Sequence, residues 1–356
     1  MGIDPFYGRK QPMKTLTIRG ATGNSDLLVG ERIDNAAAYL PAGETVVITD
    51  RVVAGLYRDR FPKGRVIEID IGESIKTLET LQEIYGKLVA AEADRSTFVL
   101  GVGGGIVCDI TGFAASTYMR GVRFGFVSTT LLAQVDASVG GKNGVNFGGY
   151  KNMVGVFNQP EFVICDLDLL KTLPKREVLC GMAEIVKHGA IADPDLFDFV
   201  EQNVQGALDL DPAVVERLVY DSIVIKSAIV SRDEKEAGDR RKLNFGHTFG
   251  HAIEKTSGVP HGEAVSAGMA AAARLSVEKG LLAQADTDRL VALLDRLGLP
   301  IRLPARPEKV LDALRKDKKR KGAGIHFVLL ANIGQAVIEE IPLAELDRVF
   351  EGIAGT

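Results

Sequence analysis

The sequence is poor in cysteine. Its three cysteines, Cys108, Cys165 and Cys180, are widely spaced and form no Cys-x-x-Cys pair. This spacing excludes a disulfide framework and a zinc site built from thiolates. We therefore expect the protein to work in a reducing compartment.

The chain also lacks an apolar run long enough to cross a bilayer. Its first residues lack the charged, apolar and cleavage regions of a signal peptide. We expect no membrane association and a cytoplasmic location. Residues 1–12, MGIDPFYGRKQP, precede a second methionine, Met13. We interpret them as a vector-derived leader or tag that takes no part in the fold.

An excess of positive charge is missing too. The chain has 43 Lys and Arg residues against 47 Asp and Glu residues, which leaves no large basic face for nucleic acid. Small molecules are the expected partners. Hydrophobic residues make up 46% of the 356 positions, enough for a sizeable core. This length favours two domains around a shared cleft, where small substrates commonly bind.

The two halves differ in pattern. From Thr15 to about Thr172, short β-branched runs such as Val46–Thr49 alternate with helical stretches, which predicts an α/β domain with a parallel sheet. After Pro174, long alanine- and leucine-rich segments predict a mostly helical domain, with helices over 212–231, 263–279 and 286–297. Because proline disfavours helix before it and often opens the next helix, we place the domains at 13–173 and 174–356.

A glycine run, Gly101 to Gly105, follows the predicted strand Thr97–Leu100. Residues without side chains there would let backbone amides approach a pyrophosphate at the start of the next helix. The spacing differs from G-x-G-x-x-G, so a simple tight turn remains the alternative. Asp50, at the end of an earlier strand, is either a ribose acceptor or the N-cap of the following helix.

Three of the five histidines, His247, His251 and His261, lie in one short segment. If residues 248–255 are helical, His247 and His251 share a face, and His261 can return to them after the turn at 258–260. Two nitrogens and a carboxylate would complete a catalytic zinc site, with Glu184 as the carboxylate. A hydrogen-bonded histidine pair, and a surface Glu184–Lys187 ion pair, are the alternatives.

Cations, an amide and glycine-exposed backbone suit a substrate with both a phosphate and a carboxylate. Any one of these lysines could instead be a solvated surface charge, as we interpret the run at 315–321. The candidates are Arg120, Asp136, Lys142, Lys151, Asn152, Lys187, Lys226 and Arg240.

From about Thr15 to Val349 the chain resembles the 3-dehydroquinate synthase family. The resemblance rests on a set of motifs: GGGIVCDITGF (103–113), TYMRGVR (117–123), TTLL (129–132), VDASVGGK (135–142), KN (151–152), GMAE (181–184), NFGH (244–247), HGE (261–263) and DKK (317–319).

The resemblance implies a Rossmann-like NAD domain, a helical domain and an active site in the cleft between them. It implies that Zn²⁺, or Co²⁺ as the alternative ion, is held by Glu184, His247 and His261. By the same resemblance His251 is a proton-transfer residue, whereas the spacing alone would make it a ligand. The implied activity converts 3-deoxy-D-arabino-heptulosonate 7-phosphate to 3-dehydroquinate and phosphate, with NAD recycled.

The resemblance assigns further residues to each ligand. Arg120 would reach the substrate of a neighbouring subunit, which implies a homodimer. Catalytic roles fall to His251, Lys142, Lys187, Asn152 and Arg240. Substrate contacts are implied for Arg120, Asp136, Lys142, Asn152, Lys187, Lys226, Arg240, Asn244, His251 and Lys318. NAD contacts are implied for Asp50, Glu73, Lys76, Gly104, Gly105, Asp109, Thr129, Thr130, Leu132, Lys142, Lys151 and Thr172.

Three positions depart from the family's usual pattern: Asn143 replaces threonine, Ser128 replaces proline and Cys108 replaces glycine. None removes a chemical group. The alternative functions are a sister sugar-phosphate cyclase of the 2-deoxy-scyllo-inosose or 2-epi-5-epi-valiolone synthase type, a metal-dependent alcohol or glycerol dehydrogenase, and a non-catalytic NAD-binding relative. Arg240, Asn244 and Lys226 together favour a substrate that carries a carboxylate.

Overall fold

The computed structural model describes residues 13–302, 309–310, 312, 324–342 and 345. These residues form two compact units. Unit 1 contains the described residues up to Thr129 together with Gly141–Leu169, and unit 2 contains Thr130–Gly140 together with the described residues from Leu170 onward. The short segment Thr130–Gly140 therefore belongs to unit 2 although it lies within the first half of the sequence. The domain limits 13–173 and 174–356 stay predictions.

Unit 1 is built on a seven-stranded sheet with the strand order β1-β2-β9-β6-β5-β3-β4. All neighbouring strands are parallel except β1 and β2, which pair antiparallel at one edge. The predicted α/β fold with a parallel sheet is confirmed. Its strands are β1 (Lys14–Gly20), β2 (Gly23–Val29), β3 (Thr45–Asp50), β4 (Arg65–Ile69), β5 (Phe98–Gly103), β6 (Phe124–Ser128) and β9 (Phe162–Cys165).

Three helices of unit 1 connect these strands: α1 (Arg51–Tyr57), α2 (Leu78–Ala90) and α3 (Gly105–Thr117). Local signals fix where they begin. The side chain of Asp50 caps α1 and that of Thr77 caps α2, because short oxygen-bearing side chains satisfy the first free amides of a helix. The central strands β5, β6 and β9 are buried along their whole length, as continuous apolar runs in parallel sheets usually are.

The strand order reverses between β3 and β5. From β3 the chain continues outward to β4, and it then returns to β5, β6 and β9 on the other side of β3. Ligands of open α/β sheets bind in the crevice that such a reversal creates at the carboxyl ends of the strands. Here those ends carry Asp50 on β3 and Gly103, followed by the start of α3, on β5.

A separate hairpin of unit 1 pairs β7 (Lys142–Phe147) with β8 (Tyr150–Phe157). Its two-residue turn consists of Gly148 and Gly149, with φ angles of 58° and 77°. Turns of this type need positive φ at both central positions, which glycine adopts readily. The sequence patterns did not predict this hairpin.

Unit 2 is mostly helical, as predicted. Its helices are α4 (Lys175–Ala192), α5 (Pro194–Gln202), α6 (Val204–Leu208), α7 (Pro212–Arg232), α8 (His247–Ser257), α9 (His261–Glu278) and α10 (Gln284–Arg296), and β10 (Gly324–Asn332) and β11 (Gln335–Pro342) form an antiparallel hairpin. Among the residues with a described position, we find no helix long and apolar enough to span a bilayer.

Helix α4 is the centre of unit 2. It begins directly after Pro174, and its residues from Cys180 to Ile191 are almost all buried. It contacts α5, α7, α9 and the segment Thr130–Gly140. Part of that segment, Ala133–Ala137, forms one π-helical turn, a feature that often accompanies functional sites.

Candidate active site

Three helices of unit 2 bring Glu184, His247 and His261 together. Glu184 lies in the middle of α4, whereas His247 and His261 are the first residues of α8 and α9. Gly246 caps α8 with a φ of 77°, and a Cβ there would come within 2.6 Å of Met269. Only glycine fits this turn, so the NFGH motif fixes the direction in which His247 leaves the backbone.

The three side chains converge on a single point. The Nε2 atoms of His247 and His261 lie 3.4 Å and 3.1 Å from the same atom, Oε1 of Glu184. One ligand atom from each residue lies within 4.8 Å of the others, and Glu184 is fully buried. Two imidazole nitrogens and one carboxylate form a donor set that catalytic zinc sites use, so the residues present fit a divalent metal.

The second nitrogen of each histidine also faces an acceptor. Nδ1 of His247 lies 3.2 Å from the carbonyl oxygen of Phe245, and because a carbonyl only accepts, that nitrogen carries the proton. Nδ1 of His261 lies 3.6 Å from a carboxylate oxygen of Glu254. Such outer partners orient metal-binding histidines and direct Nε2 to the ion.

Burial and charge set the protonation of the three groups. Burial would raise the pKa of Glu184, but the neighbouring Lys187 ammonium holds it well below its usual value. Burial lowers the pKa of His247 to about 4. Burial also opposes the charge on His261, yet the carboxylates of Glu184 and Glu254 raise its pKa to about 10. At neutral pH, His247 is therefore neutral and His261 carries a proton that a metal would displace.

His251 lies one helical turn after His247. The two rings meet edge to face with centroids 5.3 Å apart. The converging group of Glu184, His247 and His261 does not include His251, and neither does any other such group among the described residues. The spacing alone made His251 a ligand, whereas the geometry places its ring beside that of His247.

Asp136 is the centre of a second cluster in unit 2. Its Oδ1 lies 2.6 Å from Nζ of Lys226 and 4.0 Å from Nζ of Lys187. Lys226 also donates to the backbone oxygen of Asp136, and Lys187 pairs with Oε2 of Glu184. A continuous chain of charges thus links the histidine pair to Lys226.

The lysines of this cluster are buried rather than solvated. Lys187 is 1% exposed and Lys226 is 6% exposed. The Glu184–Lys187 pair, for which a surface location was the alternative, lies in the core. Burial lowers the pKa of Lys226 to about 8 against the opposing effect of Asp136. Buried charges persist only when they are paired, and here each lysine faces a carboxylate.

Arg240 and Asn244 lie on the segment that precedes α8. The Arg240 side chain is 2% exposed and donates to the backbone oxygen of Gly140 at 3.0 Å. A Cβ on Gly140 would lie 2.7 Å from this guanidinium, which explains the glycine. The amide of Asn244 donates to Oε1 of Glu236 at 2.5 Å.

His188 is a buried residue of the site that sequence analysis missed. It follows Lys187 on α4 and is fully buried, with Nε2 3.7 Å from Oδ1 of Asp136. Its position four residues after Glu184 could have identified it, because residues four apart share a helix face.

Several predicted cofactor residues come together in unit 1. Lys76 is 5% exposed and donates to the carboxylate of Asp109 and to Oδ1 of Asn152. Glu73 accepts from Asn146, whose own side chain accepts from the amide of Asn152. Lys151 lies 3.9 Å from Glu73. Residues from three separate segments thus form one polar cluster.

The glycine run joins β5 to α3 without a loop. Gly103 ends the strand, Gly104 is the N-cap and Gly105 begins the helix. A Cβ on Gly103 would lie 2.6 Å from Val107, so the glycine permits close packing of helix on strand. The free amides of α3 therefore begin at the carboxyl edge of the sheet, a position that suits a phosphate.

Asp50 acts as the N-cap of α1. Its Oδ1 accepts from the amides of Val52 and Val53 at 2.8 Å and 2.9 Å. Thr129 donates its amide to Gly103. Arg120 is exposed with a φ of 69°. Lys142 and Thr172 are exposed, Thr130 and Leu132 are half-buried, and Lys318 lies outside the described residues. The ligand contacts assigned to these residues stay predictions.

The three departures from the family pattern are accommodated in unit 1. Asn143 donates to the carbonyl oxygens of Gly141 and Asn158 at 3.0 Å and 2.8 Å. Cys108 is buried, with Sγ 3.9 Å from the oxygen of Gly103. Burial raises the pKa of its thiol, and a hydrogen bond with Ser128 opposes this rise. Two of the departures are therefore neighbours, and the Cys108 side chain points into the protein.

The fold and the site define a class of protein: a parallel-sheet nucleotide-binding unit combined with a helical unit that carries a carboxylate–histidine metal set. Comparison with solved structures agrees. A 2-deoxy-scyllo-inosose synthase in complex with carbaglucose-6-phosphate, NAD⁺ and Co²⁺ superposes with a TM-score of 0.85 at 28% identity, covering 95% of this chain and 99% of that one. The 2-epi-5-epi-valiolone synthase from Streptomyces hygroscopicus subsp. jinggangensis 5008, with NAD⁺ and Zn²⁺ bound, has a TM-score of 0.85 at 27% identity, covering 98% and 99%.

Sequence comparison identifies the family. Residues 66–180 match the family model of the 3-dehydroquinate synthase N-terminal domain, and residues 181–320 match that of the C-terminal domain. The 3-dehydroquinate synthase of Halorhodospira halophila (strain DSM 244 / SL1) is 44% identical over 327 residues, which cover 89% of this chain and 92% of that protein. The chain belongs to the 3-dehydroquinate synthase family.

Proposed function

We propose that the chain is an NAD- and zinc-dependent 3-dehydroquinate synthase. It converts 3-deoxy-D-arabino-heptulosonate 7-phosphate to 3-dehydroquinate and inorganic phosphate. The observation that carries this proposal is the largely buried chain of polar contacts from His247 and His261 through Glu184, Lys187 and Asp136 to Lys226. It joins a metal donor set to cations suited to an acidic substrate.

The charge balance of this region supports an anionic substrate. The buried cations Lys187, Lys226 and Arg240 lie close to the carboxylates of Glu184 and Asp136, and Glu236 also acts on Arg240. A divalent cation on the histidines would add further positive charge. A sugar acid phosphate carries negative charge on its carboxylate and on its phosphate, and cations that are shielded from water interact strongly with such groups.

Each ligand has its own residues in the proposal. Glu184, His247 and His261 hold Zn²⁺ or Co²⁺, and the cluster around Lys76 and Asp109, with the start of α3, holds NAD. When bound, the metal would lower the pKa of a substrate hydroxyl, and NAD would accept a hydride and later return it. The oxidation and the later reduction of the substrate therefore cancel, and phosphate is the group that the substrate loses.

The remaining side chains bind substrate or move protons. Lys226 and Lys187 hold Asp136 in its ionised form, so that it can accept a hydrogen bond from a substrate hydroxyl. Arg240 and Asn244 offer donors to a carboxylate. His251 lies beside the metal-binding residues Glu184, His247 and His261 and does not hold the metal, and its role is to transfer protons.

We also propose a cytoplasmic homodimer in which Arg120 reaches the partner's substrate. Its exposure and its positive φ, rare for a residue with a side chain, support a role outside its own chain. Mixing an Arg120→Ala variant with a His261→Ala variant tests this. Each variant alone should be inactive, whereas mixed dimers should regain one complete site. Full activity of Arg120→Ala alone would contradict the shared site.

A sister cyclase is the second candidate, because a 2-deoxy-scyllo-inosose synthase and a 2-epi-5-epi-valiolone synthase have a similar fold. Substrate choice distinguishes the two. The protein, loaded with NAD and Zn²⁺, is given either 3-deoxy-D-arabino-heptulosonate 7-phosphate or glucose 6-phosphate, and phosphate and NADH are followed. Phosphate release from 3-deoxy-D-arabino-heptulosonate 7-phosphate alone, without lasting NADH, supports the proposal. Release from glucose 6-phosphate alone would favour the sister cyclase, and stoichiometric NADH would favour a dehydrogenase.

A further inference from the structure

His188 is a polar side chain without a hydrogen-bond partner among the described residues. It lies on α4 and is fully buried, and neither of its ring nitrogens makes a hydrogen bond. An unsatisfied polar group in a protein interior costs stability, so such groups in native proteins usually have another role. Burial lowers its pKa, and an imidazole carries at least one N–H in either protonation state.

The carboxylate of Asp136 faces this ring. Its Oδ1 lies 3.7 Å from Nε2 of His188, slightly beyond a hydrogen bond. Hydrogen bonds of catalytic groups are often this long without substrate and shorten when it binds. The same Oδ1 lies 2.6 Å from Nζ of Lys226, so a shift of the carboxylate towards His188 would give Oδ1 two donors.

Only one member of this cluster reaches solvent appreciably. The side chain of Asp136 is 20% exposed, whereas those of His188, Lys187 and Lys226 are 0%, 1% and 7% exposed. A substrate hydroxyl can therefore meet Asp136 but cannot meet His188. The orientation of that carboxylate is therefore a route by which His188 acts on the reaction.

A second metal site is the other interpretation. Ligand atoms of Asp136, Glu184 and His188 also lie within 4.8 Å of one another. However, Lys187 pairs with Glu184, and Lys226 pairs with Asp136. Two ammonium groups among the ligands would repel a dication, so the charges oppose this interpretation.

We propose that His188 is a positioning residue, whose Nε2–H donates to Oδ1 of Asp136 and thereby aims the other carboxylate oxygen at a hydroxyl of the substrate. The inference rests on the proposed function, since it assumes that Asp136 binds the sugar phosphate. It assigns no metal and no direct substrate contact to His188.

Three substitutions test the proposal. Because Gln places its amide N–H near the position of Nε2, His188→Gln keeps the donor. His188→Asn places its amide nearer to Nδ1, and His188→Leu has no donor. A lost hydrogen bond to a charged acceptor corresponds to a fall of about ten- to a hundredfold in kcat/KM. We expect this fall for the Leu and Asn variants, and a value within about threefold of wild type for Gln.

The controls separate positioning from packing. The zinc content of the Leu variant should equal that of wild type. Its urea midpoint should equal or exceed that of wild type, because burying an apolar group in place of an unsatisfied polar one is not costly. Unchanged kcat/KM in the Leu variant, or equal losses in Gln and Leu, would overturn the inference. If Leu does not fold, the contrast between Gln and Asn decides. Absence of phosphate release by the wild type would instead refute the proposed function.

Discussion

Replacing Lys187 with methionine removes the cation between the buried carboxylate of Glu184 and the partly exposed carboxylate of Asp136. Lys187 is 1% exposed, pairs with Oε2 of Glu184 and lies 4.0 Å from Oδ1 of Asp136. Methionine keeps much of the side-chain volume but no charge. The negative charge of Glu184 would then be compensated by the two histidines, and that of Asp136 by Lys226.

The magnitude follows from the burial of the pair. Removing one partner of a buried ion pair typically costs about 3–5 kcal/mol, because the other charge stays buried without compensation. Since His261 and Lys226 remain near the two carboxylates, we expect the lower end, about 3 kcal/mol. Zn²⁺ would supply positive charge to Glu184, so the deficit should shrink when zinc is added.

Helix α4 offers a matched control. Arg176 pairs with Glu263 at 3.4 Å, and its side chain is 62% exposed. An exposed pair contributes about 0–1 kcal/mol, so Arg176→Met should unfold almost as wild type does. The free energy of unfolding is measured in urea by circular dichroism, since the chain has no tryptophan for fluorescence. Equal destabilisation by Lys187→Met and Arg176→Met, in metal-free protein, would refute this reasoning.

Three further predictions concern the histidines. Glu254→Gln should weaken zinc binding about 10- to 100-fold, as loss of an outer partner of a metal ligand does; equilibrium competition with a chelator measures this, and unchanged affinity would contradict it. Zinc binding at pH 7 should release one proton, because His261, with a pKa of about 10, is protonated there and His247, with a pKa of about 4, is not. The affinity for zinc should therefore rise with pH. Calorimetry in several buffers counts the released protons, and a count of zero would contradict the assignment. His251→Ala should keep its zinc while losing about 10²- to 10⁴-fold in rate; loss of the metal would make His251 a ligand.

The positions of the helices around the metal set follow from local sequence. Gly246 before His247, and the glycine and proline at 258–260, mark where α8 begins and ends. These signals act through the backbone of a few neighbouring residues. The helix that the histidine spacing presupposed over 248–255 is present, but the spacing could not decide which of the two histidines meets Glu184 from a different helix.

Burial of the lysines could not be predicted from local sequence. Lys187 follows Glu184 at a spacing that is typical of a surface ion pair, and nothing near it in the chain indicates otherwise. Its burial arises because α7, α9 and the segment Thr130–Gly140 cover α4. That segment precedes the helical half of the sequence yet belongs to unit 2. A prediction from linear sequence places each stretch in the domain of its neighbours in the chain, so it could not place this segment beside α4.

The antiparallel features of unit 1 were missed for a related reason. The alternation of strands and helices predicts parallel pairing, and it did so correctly for β3, β4, β5, β6 and β9. The edge pair β1–β2 and the hairpin β7–β8 have no helix between their strands. Gly20 and Gly23, which flank the turn at 21–22, and the glycines of the turn at 148–149 are the local signals that would have indicated hairpins.

Phosphate release by metal-free protein, supplied with NAD and 3-deoxy-D-arabino-heptulosonate 7-phosphate and titrated with Zn²⁺, tests the metal-dependent cyclase most directly. Release should begin only with added zinc and saturate at about one ion per chain, while the absorbance of NADH returns to its starting value. His261→Ala should show no saturation at that ratio. Equal release without metal, or NADH accumulating in step with phosphate, would contradict the proposed enzyme.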